Sequence, residues 1–315
     1  MITYTALSKN PAVFRRLSGH TLREFDLILD KFKSVYEEDI RRRSNNPNRK
    51  RAWGAGKPSH IKSIEDKLLF ILVYVRIYPL LFLQGIIFNL SESNACYWAH
   101  TLLPMLDKAL GYAHKKPERG NGKTLDEILK EFPELKSIGV FIDGMERPIR
   151  KPKNKGKNDS FYSGKAKRHT VKNIVIANPD SYIHYLGKTQ PGRKSDKTIF
   201  DEDKIRGPSS ILNKEKIPLG ADLGFEGVKM KNVNVMLPNK KPCGRDLTEA
   251  QRDQNKALAR ARIRVENAIC GVKRSRSVSD AYRGIKEGFE DILINVACGL
   301  HNTRVAYRYS TIIKY

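Results

Sequence analysis

The first third of the chain repeats apolar residues with a helical period. They recur at three- and four-residue spacing over residues 22–36, and residues 68–75 form a nearly continuous apolar run. This spacing places the apolar side chains on one face of an α-helix. Ser63 precedes the second run and is followed three residues later by Asp66, a combination that favours a capped helix start. Helices are therefore predicted over both runs, and Pro79 ends the second helix or begins the next.

A short apolar segment, a polar turn and a second helical segment follow within residues 80–100. Ser91 is the candidate cap of the second helix, and Ser93, Asn94 and Tyr97 are expected to face outward from it. The pattern is typical of a helix-turn-helix unit, whose second helix enters the major groove of DNA and reads bases with its first residues. A plain helical hairpin fits the pattern equally well, so other features must decide between the two.

After a polar linker at residues 115–134, strand patterns replace helical ones. Strands are predicted over residues 138–142, 169–177, 182–186, 219–221 and 233–237. Helices are predicted near residues 196–203, 248–272 and 291–307. This order resembles a ribonuclease-H-like domain, a mixed sheet flanked by helices. The predicted fold class is thus α/β, with an all-α helix-turn-helix domain over residues 1–114 and a ribonuclease-H-like domain over residues 135–315.

The charge of the chain points to a polyanionic partner. It contains 59 Lys+Arg against 34 Asp+Glu, a net charge of +25. Nucleic acid is the favoured partner, because each neutralised phosphate releases counterions and strengthens binding. A ribosome-associated, RNA-binding or membrane-surface protein is the alternative. The charge also favours DNA reading by the helix-turn-helix unit.

Several function classes receive no support from the sequence. The four cysteines are scattered without a CxxC pair, so neither a zinc site nor a disulfide framework is indicated. The longest apolar stretch, residues 68–88, is interrupted by Arg76 and Pro79 and is a poor membrane span. The expected location is the bacterial cytoplasm, in association with the nucleoid.

Two basic segments are candidates for contact with DNA phosphates. The first covers residues 41–58, is rich in Asn, Gly and Pro, and is predicted to be a loop. The second covers residues 147–172 and holds ten Lys/Arg against one acid, Asp159. In it, a backbone-tracking loop is predicted with Lys151, Lys153 and Lys155, and strand-borne phosphate contacts are predicted at Lys165, Lys167, Arg168 and His169. A solvated basic hairpin is the alternative.

Three acids stand out in this basic chain. Asp143 follows the apolar run 138–142, Asp222 follows a second short run, and Glu266 lies in an arginine-rich helical stretch. Hard divalent cations take oxygen ligands, often a few carboxylates together with substrate phosphate. In the predicted fold Asp143 ends the first strand and Asp222 ends the adjacent fourth strand, while Glu266 lies on a helix packed over the sheet. A shared metal site is therefore predicted.

Two alternatives remain open for these acids. Asp196 could be the second acid instead of Asp222, although it is favoured as the cap of the helix near residues 197–203. Arg262, Glu266 and Lys273 are spaced so that they share one helix face, where two cations could bind phosphate around one metal-binding acid. An ordinary i,i+4 ion pair on an exposed helix explains Arg262 and Glu266 equally well.

Six short motifs follow one another at residues 143–149, 162–170, 191–196, 221–225, 264–269 and 297–302. Together and in this order they resemble one known family, the DDE-superfamily transposases of bacterial insertion sequences, in the branch related to eukaryotic Harbinger elements. Related transposases also carry a signature of Tyr, Arg, Glu and Lys, which Arg262, Glu266 and Lys273 match in register. Ala259 stands at the tyrosine position, a departure that concerns how DNA is held.

The resemblance implies a function and a cofactor. A DNA transposase of this family binds terminal inverted repeats and catalyses metal-dependent cleavage and strand transfer. Two Mg²⁺ or Mn²⁺ ions would be held by Asp143, Asp222 and Glu266. The implied partners are double-stranded DNA at the element ends and target, and further copies of the chain in a dimer or larger assembly. A catalytically inactive, transposase-derived DNA-binding regulator is the alternative.

Overall fold

The computed structural model describes residues 1–45, 59–119, 140–202, 217–227, 233–284, 286 and 288–312. Its helices, in chain order, are α1 Tyr4–Leu7, α2 Pro11–Ser18, α3 Leu22–Ser44, α4 Ile64–Ile77, α5 Leu81–Phe88, α6 Glu92–Tyr112, α7 Lys155–Phe161, α8 Asp196–Glu202, α9 Glu249–Lys273, α10 Arg276–Ser279 and α11 Phe289–Ile312. Its strands are β1 Glu118–Arg119, β2 Val140–Pro148, β3 Tyr162–Ser163, β4 Arg168–Ala177, β5 Ile183–Leu186, β6 Gln190–Pro191, β7 Ile217–Gly220 and β8 Val233–Met236. A 3₁₀ turn, Leu223–Phe225, follows β7.

The chain divides into two compact units. A helical unit contains Met1–Lys116, Val272–Asp280 and Gly284–Tyr315, and an α/β unit contains Pro117–Gly271 and Ala281–Arg283. The C-terminal helix α11 therefore packs with the N-terminal helices. Asn295 Nδ2 in α11 donates to Asp107 Oδ1 of α6 at 2.7 Å. This grouping describes packing alone. The functional domains predicted over residues 1–114 and 135–315 stay a prediction.

Side-chain caps define the helix starts of the helical unit. Ser63 accepts a hydrogen bond from the Asp66 backbone N–H at 3.0 Å, and Ser91 accepts one from the Asn94 N–H at 3.3 Å. Both predicted caps are confirmed, since each satisfies a backbone donor that has no partner inside the helix. None of the helices that the structure describes has the length and apolar character needed to cross a membrane.

The predicted loop from residue 41 is wrong at its beginning, because α3 continues to Ser44. Asp39 pairs with Arg42 at 2.6 Å and with Arg43 at 2.7 Å, which are i,i+3 and i,i+4 contacts along the helix. Such pairs support the last helical turn, where cations are also favoured by the helix dipole. Residues 46–58 of the predicted loop lie outside the described residues.

Aromatic rings and one buried lysine hold the helical core together. The Phe14 and Phe25 rings are fully buried with centroids 5.3 Å apart. Lys67 is 3% exposed, and its Nζ donates to the Ile61 carbonyl oxygen at 2.7 Å. The same ammonium lies 5.2 Å from the Tyr36 ring centre and 5.6 Å from that of Trp98. Lys67 thus links α3, α4 and α6 through a hydrogen bond and cation–π contacts.

The α/β unit is built around one mixed sheet with strand order β1-β5-β4-β2-β7-β8. Strand β4 runs antiparallel to β2 and β5, whereas β2, β7 and β8 are mutually parallel. The short strands β3 and β6 pair with β4. The predicted adjacency of the first and fourth major strands, β2 and β7, is confirmed.

Strand β2 is longer than predicted, and residues 138–139 of the prediction lie outside the described residues. Asp143 does not end the strand: it pairs with Val175, and β2 continues to Pro148, opposite Thr170. The apolar run ends at Ile142, but β4 offers a ten-residue partner. Main-chain pairing therefore extends β2 beyond its apolar residues.

Candidate active site

Strand register brings Asp143 and Asp222 to adjacent positions. Phe141 in β2 pairs with Gly220 in β7, and each acid lies two residues further along its chain. The Gly144 N–H donates to Asp143 Oδ1 at 2.7 Å, and the Gly224 N–H donates to Asp222 Oδ1 at 2.8 Å. Both carboxylates are therefore oriented by main-chain donors beside the sheet.

The electrostatics around Asp143 are those of a crowded acid. The pKa of Asp143 is raised from 3.8 to about 6. Burial is the largest cause and the negative charges of Asp222 and Asp196 add to it, while the hydrogen bond from Gly144 and the positive charge of Arg262 act in the opposite direction. Burial and like charge both disfavour the ionised carboxylate. A divalent cation at this position would relieve both effects.

Asp196 also belongs to this cluster, and its predicted role as a helix cap is wrong. Ser195 caps α8 instead, because its Oγ accepts from the Thr198 N–H at 3.1 Å. Asp196 Oδ1 lies 3.3 Å from Lys172 Nζ. A Cβ atom on Gly144 would lie 2.6 Å from Asp196 Oδ1, and one on Gly224 would lie 3.3 Å from Oδ2. The Asp196 carboxylate thus rests against the residues next to both other aspartates.

Glu266 has a different environment on α9. Its side chain is 51% exposed, and its Oε1 lies 3.3 Å from Arg262 Nη2. The i,i+4 ion pair considered as the alternative for this stretch is therefore present. Arg262 is 22% exposed and also acts electrostatically on Asp143, so it interacts with both Glu266 and Asp143.

The structure thus brings Asp143, Asp222, Asp196 and Arg262 together and connects Glu266 through Arg262. Within the described ranges no three His, Cys, Asp or Glu side chains are arranged to hold a metal ion. The assignment of Asp143, Asp222 and Glu266 as metal ligands stays a prediction. Sequence reasoning missed Lys172 and Gly144, although a glycine directly after a buried acid signals a close approach by another group.

The basic segment of the α/β unit differs from its prediction in two places. The predicted loop contains Lys151 and Lys153, but Lys155 begins helix α7. Lys165 and Lys167 lie in the turn between β3 and β4, not on a strand, because the two-residue pairing of β3 with β4 requires the chain to reverse there. These five lysines are all exposed.

The last two residues of the predicted basic surface begin strand β4. Arg168 is exposed. The His169 Nε2 is hydrogen-bonded to the Asn158 side chain, and its ring packs edge-on against Tyr162 at 5.5 Å. His169 therefore fixes α7 and β3 on the hairpin, whereas Arg168 is available for contact with a ligand.

The predicted DNA-reading residues are accessible at the start of α6. Ser93, Asn94 and Tyr97 are all exposed. Arg43 Nη1 lies 3.4 Å from the Tyr97 hydroxyl, which places a cation of α3 beside this surface. Lys273, the last residue of the predicted Arg-Glu-Lys face, ends α9 and is grouped with the helical unit.

Comparison with known proteins assigns both parts of the chain. Residues 142–302 match the family described as DDE superfamily endonuclease, and residues 60–111 match the helix-turn-helix of DDE superfamily endonuclease. The chain is 29% identical over 296 residues to a probable transposase for insertion sequence element IS702 from Microchaete diplosiphon, covering 94% of this chain and 95% of that protein. No solved structure matches significantly. The chain therefore belongs to the DDE superfamily of endonucleases, the family that its sequence motifs predicted, with a helix-turn-helix module ahead of the endonuclease region.

Proposed function

We propose that this protein is a DNA transposase that binds terminal inverted repeats, cuts phosphodiester bonds with the help of divalent metal, and joins the ends to target DNA. The observation that carries the proposal is the proximity of Asp143, in strand β2, to Asp222, which lies two residues after the end of the neighbouring parallel strand β7. The similar protein from Microchaete diplosiphon, a probable insertion-sequence transposase, supports the reaction class.

The proposed catalytic fold is ribonuclease-H-like. Its support is the order β5-β4-β2-β7-β8, in which β4 alone is antiparallel to its neighbours. In such a sheet the acids of two neighbouring strands are fixed by backbone register. Fold alone does not establish an activity, so the proposal rests on the acids themselves.

Two Mg²⁺ or Mn²⁺ ions are the proposed cofactor, held by Asp143, Asp222 and Glu266. The donor set fits, because hard divalent cations prefer carboxylate oxygens and because the pKa of Asp143 is raised to about 6 by burial next to other acids. Bound metal would supply an activated water or 3′-hydroxyl and stabilise the leaving oxygen at phosphorus. The Gly144 and Gly224 N–H groups orient the two aspartates, and Arg262 and Lys273 are proposed to bind DNA phosphates.

DNA recognition is assigned to two surfaces. Ser93, Asn94 and Tyr97 at the start of α6 are proposed to read bases in the element ends. The exposed lysines and Arg168 around α7 and the β3–β4 turn are proposed to contact phosphates without sequence preference, as is His169. Because two ends must be processed together, a dimer or larger assembly on nucleoid DNA is expected.

The test is a nicking assay with a duplex carrying the ends of the parental element. Wild-type protein should cut it with Mg²⁺, and D143A, D222A and E266A should bind but not cut. Asp253→Ala is the matched control, because Asp253 is an exposed acid of α9 whose side chain is 65% accessible. The control should cut like wild type. Cutting by D143A at the wild-type rate, or binding without any cutting by wild type, would refute the proposal.

The same duplexes test the division between base reading and phosphate contact. Asn94→Ala should lower the preference for element-end over scrambled DNA by roughly ten- to a hundredfold, since a lost base contact costs about 1–3 kcal/mol. Lys165→Ala should weaken binding to both duplexes equally. If Asn94→Ala instead weakens both duplexes alike, α6 does not read sequence.

A further inference from the structure

The most informative unassigned group in the α/β unit is the Asp196 carboxylate. It is 22% exposed and lies at the first residue of α8. It does not cap α8, since Ser195 does so. Its oxygen atoms instead approach Gly144 and Gly224, the two residues whose N–H groups orient Asp143 and Asp222.

The approach is close, above all at Gly144. A side-chain carbon at residue 144 would lie 2.6 Å from Asp196 Oδ1, well inside van der Waals contact. At residue 224 it would lie 3.3 Å from Asp196 Oδ2. The Asp196 side chain therefore fills the space between the backbone after Asp143 and the turn after Asp222.

Lys172 pairs with this carboxylate. Its Nζ lies 3.3 Å from Asp196 Oδ1 and donates to the Lys194 carbonyl oxygen at 3.1 Å. Lys172 is on β4, directly opposite Glu146 of β2, and is 13% exposed. One oxygen of Asp196 is thus paired with a cation.

The position of α8 is fixed by further contacts. Strand β6 pairs with β4 through Lys172 and Gln190, so the segment leading to Asp196 is attached to the sheet. The Phe200 ring of α8 packs edge-on against Phe225 of the 3₁₀ turn, with centroids 6.1 Å apart. The segment before Asp196 is therefore attached to the sheet, and the helix after it packs on the turn that follows Asp222.

We propose that Asp196, held by Lys172, is a positioning residue that sets the spacing between the backbone segments bearing Asp143 and Asp222. It acts on the metal-binding pair through Gly144 and Gly224 and does not ligate the metal itself. The proposal rests on the proposed function, because it takes Asp143 and Asp222 as the ligands. Its expected effect is the size seen for residues that orient metal ligands, about ten- to a hundredfold in affinity or activity.

The experiment compares D196N, D196A and D143N by calorimetric titration with Mn²⁺ in the absence of DNA, and by nicking of element-end DNA. Asn keeps the shape of Asp and an oxygen for Lys172, so D196N should stay within about threefold of wild type in both measurements. D196A should bind Mn²⁺ about tenfold more weakly, because the spacing is lost. D143N should lose more affinity than either. Far-UV circular dichroism checks that each variant is folded.

Two outcomes of these two measurements overturn the proposal. If D196N loses as much Mn²⁺ affinity as D143N, Asp196 is a metal ligand. If D196A matches wild type, Asp196 has no positioning role. If D143N nicks element-end DNA as fast as wild type, the proposed function fails instead. This result differs from both outcomes above, so failure of the proposed function can be told apart from failure of the positioning role.

A thermal double-mutant cycle tests the packing contact without any metal. Gly144→Ala should lower Tm, because its methyl group meets Asp196. The effect should shrink in the Gly144→Ala/Asp196→Ala double variant, since contacting residues couple. Additive changes in Tm would show that the contact is absent and would overturn the positioning role independently of catalysis.

Discussion

The acids of the candidate site come from two regions that hold them in different ways. Asp143 lies in strand β2 and Asp222 lies two residues after the end of β7, so strand pairing brings the two acids near each other, and main-chain N–H groups hold their carboxylates. Glu266 belongs to helix α9, where its side chain is half exposed and pairs with Arg262 at 3.3 Å.

The difference shows how much of a metal site backbone geometry can determine. Sheet hydrogen bonds are numerous and cooperative, so the aspartate pair is set before any ligand binds. An exposed i,i+4 ion pair contributes only about 0.3–0.5 kcal/mol, so Glu266 is held weakly. We therefore expect metal to bind first to Asp143 and Asp222. Glu266 would complete the site when a DNA phosphate replaces it as the partner of Arg262.

The largest expected effect separates metal binding from chemistry. D143N and D222N should abolish Mn²⁺ binding in the absence of DNA, whereas E266Q should weaken it only a few fold. All three should reduce nicking about a thousandfold, since metal contributes several kcal/mol to the transition state. Calorimetry and single-turnover nicking measure the two quantities.

Asp253→Asn provides the matched control for these three variants, because it removes an exposed carboxylate of α9 that is not one of the proposed metal ligands. The comparison between strand and helix acids breaks down if E266Q eliminates Mn²⁺ binding as completely as D143N. Glu266 would then be a primary ligand in the free protein.

An intermediate effect is expected from the cation between the two regions. The positive charge of Arg262 lowers the pKa of Asp143 and repels a metal ion. Arg262→Gln removes this charge. Mn²⁺ affinity should therefore rise by about threefold, the size of a screened charge interaction, while nicking falls because a phosphate contact is lost. The exposed Arg260 on the same helix supplies the control variant Arg260→Gln. A fall in both quantities would show that Arg262 supports the metal site itself.

The smallest effect concerns stability and follows from the raised pKa of Asp143. Its pKa is about 6 in the folded protein against an ordinary 3.8, so ionisation destabilises the metal-free fold. This cost is absent below pH 3.8, grows as the pH rises to 6, and is complete above it. Asp143→Asn should therefore raise the free energy of unfolding in EDTA at pH 8 by about 3 kcal/mol, visible as a higher Tm, and the gain should vanish near pH 4.

Thermal melts from pH 4 to pH 8 measure this prediction. Asp253→Asn should show no comparable pH-dependent gain. Equal Tm values for wild type and Asp143→Asn across the range would indicate that Asp143 is well solvated, and the strand half of the comparison would lose its electrostatic basis.

Local signals were sufficient where short-range contacts decide the structure. The caps at Ser63 and Ser91 were predicted correctly, because the partner N–H groups lie three residues away. The adjacency of the first and fourth major strands was also predicted, from the order of elements that the motifs support. The predictions were less accurate where a neighbouring segment changes a local preference, as in the extension of β2 along β4.

Asp196 shows why the rest was inaccessible from sequence. A polar residue before a short helix favours a cap, and Ser195 and Asp196 are both suitable by type. Only the folded chain shows that Ser195 takes the cap and that Asp196 points to Gly144, 52 residues earlier in the chain. The turn positions of Lys165 and Lys167 likewise depend on the pairing of β3 with β4.

The amino-acid order by itself determined the family, the two kinds of secondary structure, the basic character and the identity of the candidate acids, because these depend on composition, period and motif. Tertiary structure alone decided which charges surround Asp143, how Glu266 is paired and what lies against Gly144. Those properties arise from contacts between residues distant in the chain, whose energies depend on separation and burial, and neither quantity is written in the local sequence.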